Sequence, residues 1–140
     1  MRLVWNSSLE TGLRQIDLQH EELIGIINAL QDILDSGAAG EAAGPVLTRL
    51  GNYILFHFST EENLMRGLPG HRSDHLAEHR AFVPRFDALR QSAPLTEASL
   101  NALVDYLNTW LATHIQQTDR ALAKELLQNR LAGGAALPPR

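Results

Sequence analysis

The segment Ser99-Leu100-Asn101-Ala102-Leu103-Val104-Asp105-Tyr106-Leu107-Asn108-Thr109-Trp110-Leu111-Ala112-Thr113-His114-Ile115 places Leu100, Leu103, Val104, Leu107, Leu111 and Ile115 three or four residues apart. That spacing lines one face of an α-helix, and Leu122 and Leu126 extend it. Thr96, with Glu97 and Ser99 behind it, opens this helix after Pro94. A histidine, His114, falls inside the apolar face, and Asp119 follows five residues later.

Outward from this helix the same period recurs three times. Leu23, Ile26, Ile27, Leu30 and Leu34 form a first helix that Asp17 can cap and that ends near Ser36-Gly37. Val46, Leu47, Leu50, Tyr53, Ile54 and Phe58 form a second, starting between Glu41 and Pro45 and stopping near Gly67. Leu76, Phe82, Val83, Phe86 and Leu89 form a third, from His71–Ser73 to about Ser92, which Pro84 is expected to kink or split. Four helices with short connections predict an all-α, antiparallel up-down-up-down four-helix bundle. Residues 1–16 read as an N-terminal arm with Trp5 as an anchor, residues 1–131 as one domain, and 132–140 as a disordered tail.

Composition narrows the function. The chain has 140 residues and no cysteine, so thiolate metal sites, iron–sulfur clusters and cysteine nucleophiles are excluded. Any metal must be held by nitrogen and oxygen. A formal charge of -4 gives no basic footprint for nucleic acid. No apolar run approaches the roughly 18 residues of a membrane span. No secretory leader is evident at the N-terminus, so a cytoplasmic protein is expected.

Five of the six histidines lie within the apolar faces. His57 and Glu61 are four residues apart on the second helix, and His75 and His79 repeat that spacing on the third. His20 stands near the start of the first helix. Antiparallel helices can bring these groups, with His114, to one level. Buried imidazoles and carboxylates are costly unless paired or bound to metal, and a metal accounts for all of them together. Singly, each pair is as readily a solvated or hydrogen-bonded feature of a helix. Glu62, five residues from His57, points about 140° away from it on a regular helix. Asp119 meets the same objection relative to His114, and can serve only if the helix is locally distorted. His71 has no helical partner of its own and reads as exposed.

The run His57-Phe58-Ser59-Thr60-Glu61-Glu62, then His75-x-x-x-His79, then Trp110-Leu111-x-x-His114-Ile115-x-x-x-Asp119 resembles the hemerythrin family. Trp5, Ile16-Asp17-Leu18-Gln19-His20 and Ile27-Asn28-x-Leu30 resemble its bacterial branch. The likeness spans about residues 5–125, and only the turn Gly67-Leu68-Pro69-Gly70 departs from the family pattern. It implies two iron ions (Fe2+/Fe3+) with an oxo or hydroxo bridge. His75, His79 and His114 would fill one iron. His20 and His57 would leave the other open, and Glu61 and Asp119 would bridge the two. Leu23, Phe58, Leu111 and Ile115 would form an oxygen pocket, with Trp110 behind.

The implied function is reversible dioxygen binding for storage, delivery or sensing by a monomer, with small anions competing at the open iron when it is oxidised. A ligand set this rich in histidine lacks the Glu-x-x-His pairs of carboxylate-rich di-iron oxidases, and so suits holding dioxygen rather than cleaving it. The alternative on the same fold is an enzyme: a peroxidase, a nitric oxide reductase or an iron-releasing repair protein.

Overall fold

The computed structural model describes residues 2–37, 41–91 and 96–132; the side chains of residues 70, 71, 131 and 132 lie outside that description, so the reading of His71 is not addressed. The expected tail and the end of the third helix at Ser92 also fall outside the described residues.

The architecture is a four-helix bundle, with no strand among the described residues. Helix α1 spans Arg14–Asp35, α2 Ala43–Met65 and α3 Ser73–Arg90. The fourth rod is continuous but not uniform. Helix α4, Glu97–Thr113, passes into a π-helical turn over His114–Asp119 and emerges as α5, Arg120–Ala132. Helix α1 packs beside α2 and α4, and α3 packs beside the same two. The links from α1 to α2 and from α2 to α3 are short enough to force antiparallel neighbours. No helix among the described residues is long and apolar enough to cross a membrane.

Local chemistry explains the boundaries. Thr96 accepts a hydrogen bond from the Ser99 N–H (3.1 Å), and the Thr96 N–H donates to Ser99 Oγ (2.8 Å), a reciprocal cap on α4. Helix α1 begins three residues before Asp17, so Asp17 is not its cap. Its carboxylate instead accepts from the Thr11 N–H and hydroxyl (2.8 Å each) and the Gly12 N–H (3.3 Å). A negative charge in the first turn also suits the helix dipole. Gly12 makes the entry at φ +95°, a backbone setting that favours glycine.

Helix α3 runs unbroken through Pro84, so of the expected kink or split the split does not occur. The proline is solvent-exposed, and the Arg80 carbonyl that loses its helical donor lies on an exposed residue that water can serve.

The arm is anchored as well as covering. Asn28 donates to the Leu3 carbonyl (3.0 Å), Arg2 pairs with Asp32 (2.6 Å), and Arg120 donates to the carbonyls of Ser8 and Glu10. Trp5 packs half-buried against the core.

The interior forms two apolar clusters. The larger is built on Leu23, Ile27, Leu50, Ile54, Phe58, Phe82, Leu107, Leu111 and Ile115, among others. The smaller comprises Leu13, Ile16, Met65, Leu68, Leu122, Ala123 and Leu126. Histidines and carboxylates fall between them along each helix: His20 between Ile16 and Leu23, His57 and Glu61 between Ile54 and Met65, and His75 and His79 between Leu68 and Phe82. In the fourth rod, His114 lies between Leu111 and Ile115, and Asp119 between Ile115 and Leu122.

Candidate metal centre

His20, His57, Glu61, His75, His79, His114 and Asp119 all meet in the layer between the clusters, and none is more than 2% exposed. Their donor atoms sort into two groups. Glu61, His75, His79, His114 and Asp119 can each place one donor within 4.8 Å of all the others, and so can His20, His57, Glu61 and Asp119. Both carboxylates belong to both groups, and their two oxygens divide between them. Glu61 Oε1 is 3.1 Å from His79 Nε2 and 3.4 Å from His75 Nε2, while Oε2 is 3.4 Å from His57 Nε2 and 3.9 Å from His20 Nε2. Asp119 Oδ1 is 3.0 Å from both His75 Nε2 and His114 Nε2, and Oδ2 is 2.7 Å from His20 Nε2.

Asp119 reaches the centre because of the π-turn. On a regular α-helix a residue five positions on overshoots one turn and faces away. His114 and Asp119 open and close the π-helical turn, where the repeat lengthens to about five residues and brings the two side chains onto one face.

The charges in this layer are mutually dependent. Burial and the Asp119 carboxylate push the Glu61 carboxyl up, yet the imidazoles of His57 and His75 outweigh them and hold it at about 2. Burial likewise opposes ionisation of Asp119, but the close approach of His114, His20 and His75 keeps it well below the usual carboxylate range. Burial disfavours the His75 cation, but Asp119 and Glu61 raise it to about 9. His114 is raised against its burial, chiefly by Asp119.

These approaches are short but poorly directed. His20 Nε2, His57 Nε2, His75 Nε2, His114 Nε2, Glu61 Oε2 and both Asp119 oxygens are buried and make no hydrogen bond. Buried polar groups are normally satisfied, so seven such atoms converging on shared points is the behaviour of a donor set for metal.

Three of the five outward-facing nitrogens are held by residues that helical spacing does not flag, while His20 Nδ1 and His75 Nδ1 make no hydrogen bond. His79 Nδ1 lies 3.0 Å from Glu62 Oε2, and His114 Nδ1 lies 2.8 Å from Glu78 Oε1. The Thr118 hydroxyl, 2.9 and 3.0 Å from the two Glu78 oxygens, donates to that carboxylate. His57 Nδ1 lies 2.7 Å from Gln19 Oε1, and Gln19 donates to Thr60 Oγ1 (3.2 Å). Outer acceptors of this kind fix the histidine tautomer so that Nε2 presents its lone pair inward. The rotation that takes Glu62 away from His57 carries it toward α3 and His79.

An apolar cavity adjoins the layer on the side of the larger cluster, with about 20 Å³ open to the centre of a water-sized molecule. That is room for one small molecule. Its wall includes Leu23, Phe58, Trp110 and Leu111 together with Ile27, Leu50, Ile54, Phe82, Leu107, His57 and His114. Ile115, expected in this wall, is fully buried in the same cluster but does not line the cavity. It lies one turn beyond Leu111 and past His114, the last residue of this rod in the wall, toward the Leu122 end. Trp110 is part of the wall rather than behind it, stacked on the His114 ring (4.3 Å between centroids, 14° between planes). Phe58 stacks on His79 in the same way (3.7 Å, 5°).

Comparison with known proteins agrees with this donor set. Residues 11–126 match the model of the hemerythrin HHE cation binding domain. The chain is 33% identical to a bacteriohemerythrin of Pseudomonas paraeruginosa, with 94% of this chain and 91% of that protein covered. It is 31% identical to a bacteriohemerythrin of Stenotrophomonas maltophilia (89% and 81% covered), and 27% identical to myohemerythrin-1 of Phascolopsis gouldii (83% and 87% covered). No solved structure matches significantly. With a buried layer suited to metal in a four-helix bundle and a family match across most of its length, the chain belongs to the hemerythrin family.

Proposed function

We propose that this protein binds dioxygen reversibly at a two-iron centre. One observation carries the reading: two donor groups share both carboxylates and are unequal, with three histidines on one side and two on the other. His75, His79 and His114 would hold one iron, His20 and His57 the other, and Glu61 and Asp119 would span the pair. The two-histidine place offers fewer protein donors, four against five, and iron held there would supply the redox-active position for dioxygen.

The chain's own residues then set the conditions. The neutral side chains of Leu23, Phe58 and Leu111 line a cavity that reaches His57, a member of the two-histidine group. Such a wall admits a small apolar molecule and excludes bulk water and anions. Phe58 and Trp110, stacked on His79 and His114, hold those rings against rotation. The apolar residues of the wall donate no proton, which suits release of the bound molecule unchanged over turnover. On this reading the role is oxygen storage, delivery or sensing.

The test is the visible spectrum of the anaerobic ferrous protein before and after air. A charge-transfer band should appear on aeration and vanish on deoxygenation through repeated cycles. Immediate irreversible oxidation accompanied by turnover of a reductant would instead support the enzymatic alternative.

A further inference from the structure

We propose that Glu62 and Glu78 make the three-histidine place the tighter of the two metal sites, so that the centre fills in order and loses the two-histidine ion first. This rests on the two-metal reading above. The asymmetry lies outside the seven donors. On the three-histidine side, two of the three outward nitrogens face carboxylates, His79 Nδ1 facing Glu62 at 3.0 Å and His114 Nδ1 facing Glu78 at 2.8 Å, while His75 Nδ1 has no hydrogen-bond partner. Thr118 fixes the Glu78 carboxylate through its hydroxyl. On the two-histidine side, His57 Nδ1 faces only the neutral amide of Gln19 at 2.7 Å, and His20 Nδ1 has no hydrogen-bond partner.

A carboxylate accepting the outer N–H draws the proton toward itself, which makes the inner nitrogen a stronger donor; an amide does so far less. Both anionic partners therefore strengthen the same metal place. The protein donor count runs the same way, five against four. The residues that hold the first ion most firmly are thus not those that leave the second open, and the two-histidine place is weakly held by construction.

Glu62 and Glu78 act as positioning residues through His79 and His114. Their side chains are 37% and 44% exposed, so glutamine at either position disturbs no core and keeps an acceptor oxygen. The loaded full-length chain, kept anaerobic with ferrous iron, is titrated with a ferrous chelator while retained iron is counted. Release should come in two steps separated by about tenfold or more in chelator concentration. Glu78→Gln and Glu62→Gln should each move only the later step, by about tenfold toward easier loss. Gln19→Glu should move only the earlier step, in the opposite direction.

Release of both ions in one step from the wild-type chain would overturn the ordering while leaving two metals in place. Equal movement of both steps in Glu78→Gln would also overturn it. A starting content of one ion per chain would remove the two-metal reading itself, and this proposal with it.

Discussion

Replacing Leu111 by alanine separates the two tasks assigned to the cavity wall. Leu111 is 5% exposed and lines a void with about 20 Å³ open to the centre of a water-sized molecule. Truncating a buried leucine forfeits the transfer free energy of the lost carbons and adds a term for the space left behind, together about 3–5 kcal/mol. Here the wall has little freedom to close, because Phe58 is stacked on His79 and Trp110 on His114. A loss near about 4 kcal/mol is therefore expected. For a chain of this size that lowers the melting temperature by about 12–15 °C. Urea unfolding at fixed metal content measures the loss.

The second readout is the rate at which the aerated protein stops cycling, which should rise several-fold as water enters the enlarged cavity. Ile115→Ala is the matched comparison. It is equally buried but does not line the cavity, so stability should fall by a similar amount while the oxidation rate stays put. A loss below about 1 kcal/mol for Leu111→Ala, or equal acceleration in both variants, would refute the assignment of the wall.

Three further outcomes follow from the geometry. His79→Ala should shed metal and destabilise the loaded protein by about 3 kcal/mol or more, because Glu61 is left buried without one of its partners; unchanged iron content by elemental analysis would contradict it. In the metal-free chain, the His75 pKa raised from 6.5 to about 9 favours the fold fully below pH 6.5, and that contribution is lost as pH climbs toward 9. The Glu61 pKa lowered from 4.5 to about 2 favours the fold above pH 4.5, and that contribution is lost as pH falls toward 2. Thermal unfolding in chelator should accordingly peak between pH 4.5 and 6.5, and a maximum above pH 8 would be incompatible with these groups. Gly12→Ala forces a side chain onto a backbone at φ +95° and should cost about 1–2 kcal/mol in urea unfolding, with metal content unaltered.

Much of the bundle is legible in the sequence because each helix writes its buried face at the helical period. His57 with Glu61, and His75 with His79, share that period and so declare a common face. Asp119 does not, since a π-turn departs from the period and leaves no pattern of its own in Ile115-Gln116-Gln117-Thr118. The outer partners were invisible for a different reason. Glu62, Glu78 and Gln19 look like ordinary polar residues of helix surfaces. Only the crossing of neighbouring helices reveals that each reaches a histidine nitrogen. The expected split at Pro84 misjudged its environment: the proline falls on the solvent side, where a missing backbone hydrogen bond is tolerated. The start of α1 was hidden because Asp17 binds backward to the loop instead of capping forward.

The division of the interior into two apolar clusters bears on how the molecule comes apart. Each cluster can cohere by itself, but the layer between them consists of imidazoles and carboxylates whose inward atoms mostly lack hydrogen bonds. Such a layer transmits little stability from one cluster to the other unless something binds its atoms jointly. Metal there would make all four rods share a single melting event. Without it, the end built on Leu13, Ile16, Met65, Leu68 and Leu122 is expected to form a separate, smaller cooperative unit. Its amides would then exchange with solvent well before those around Leu50, Leu103 and Leu107, so that metal occupancy fixes the size of the folding unit.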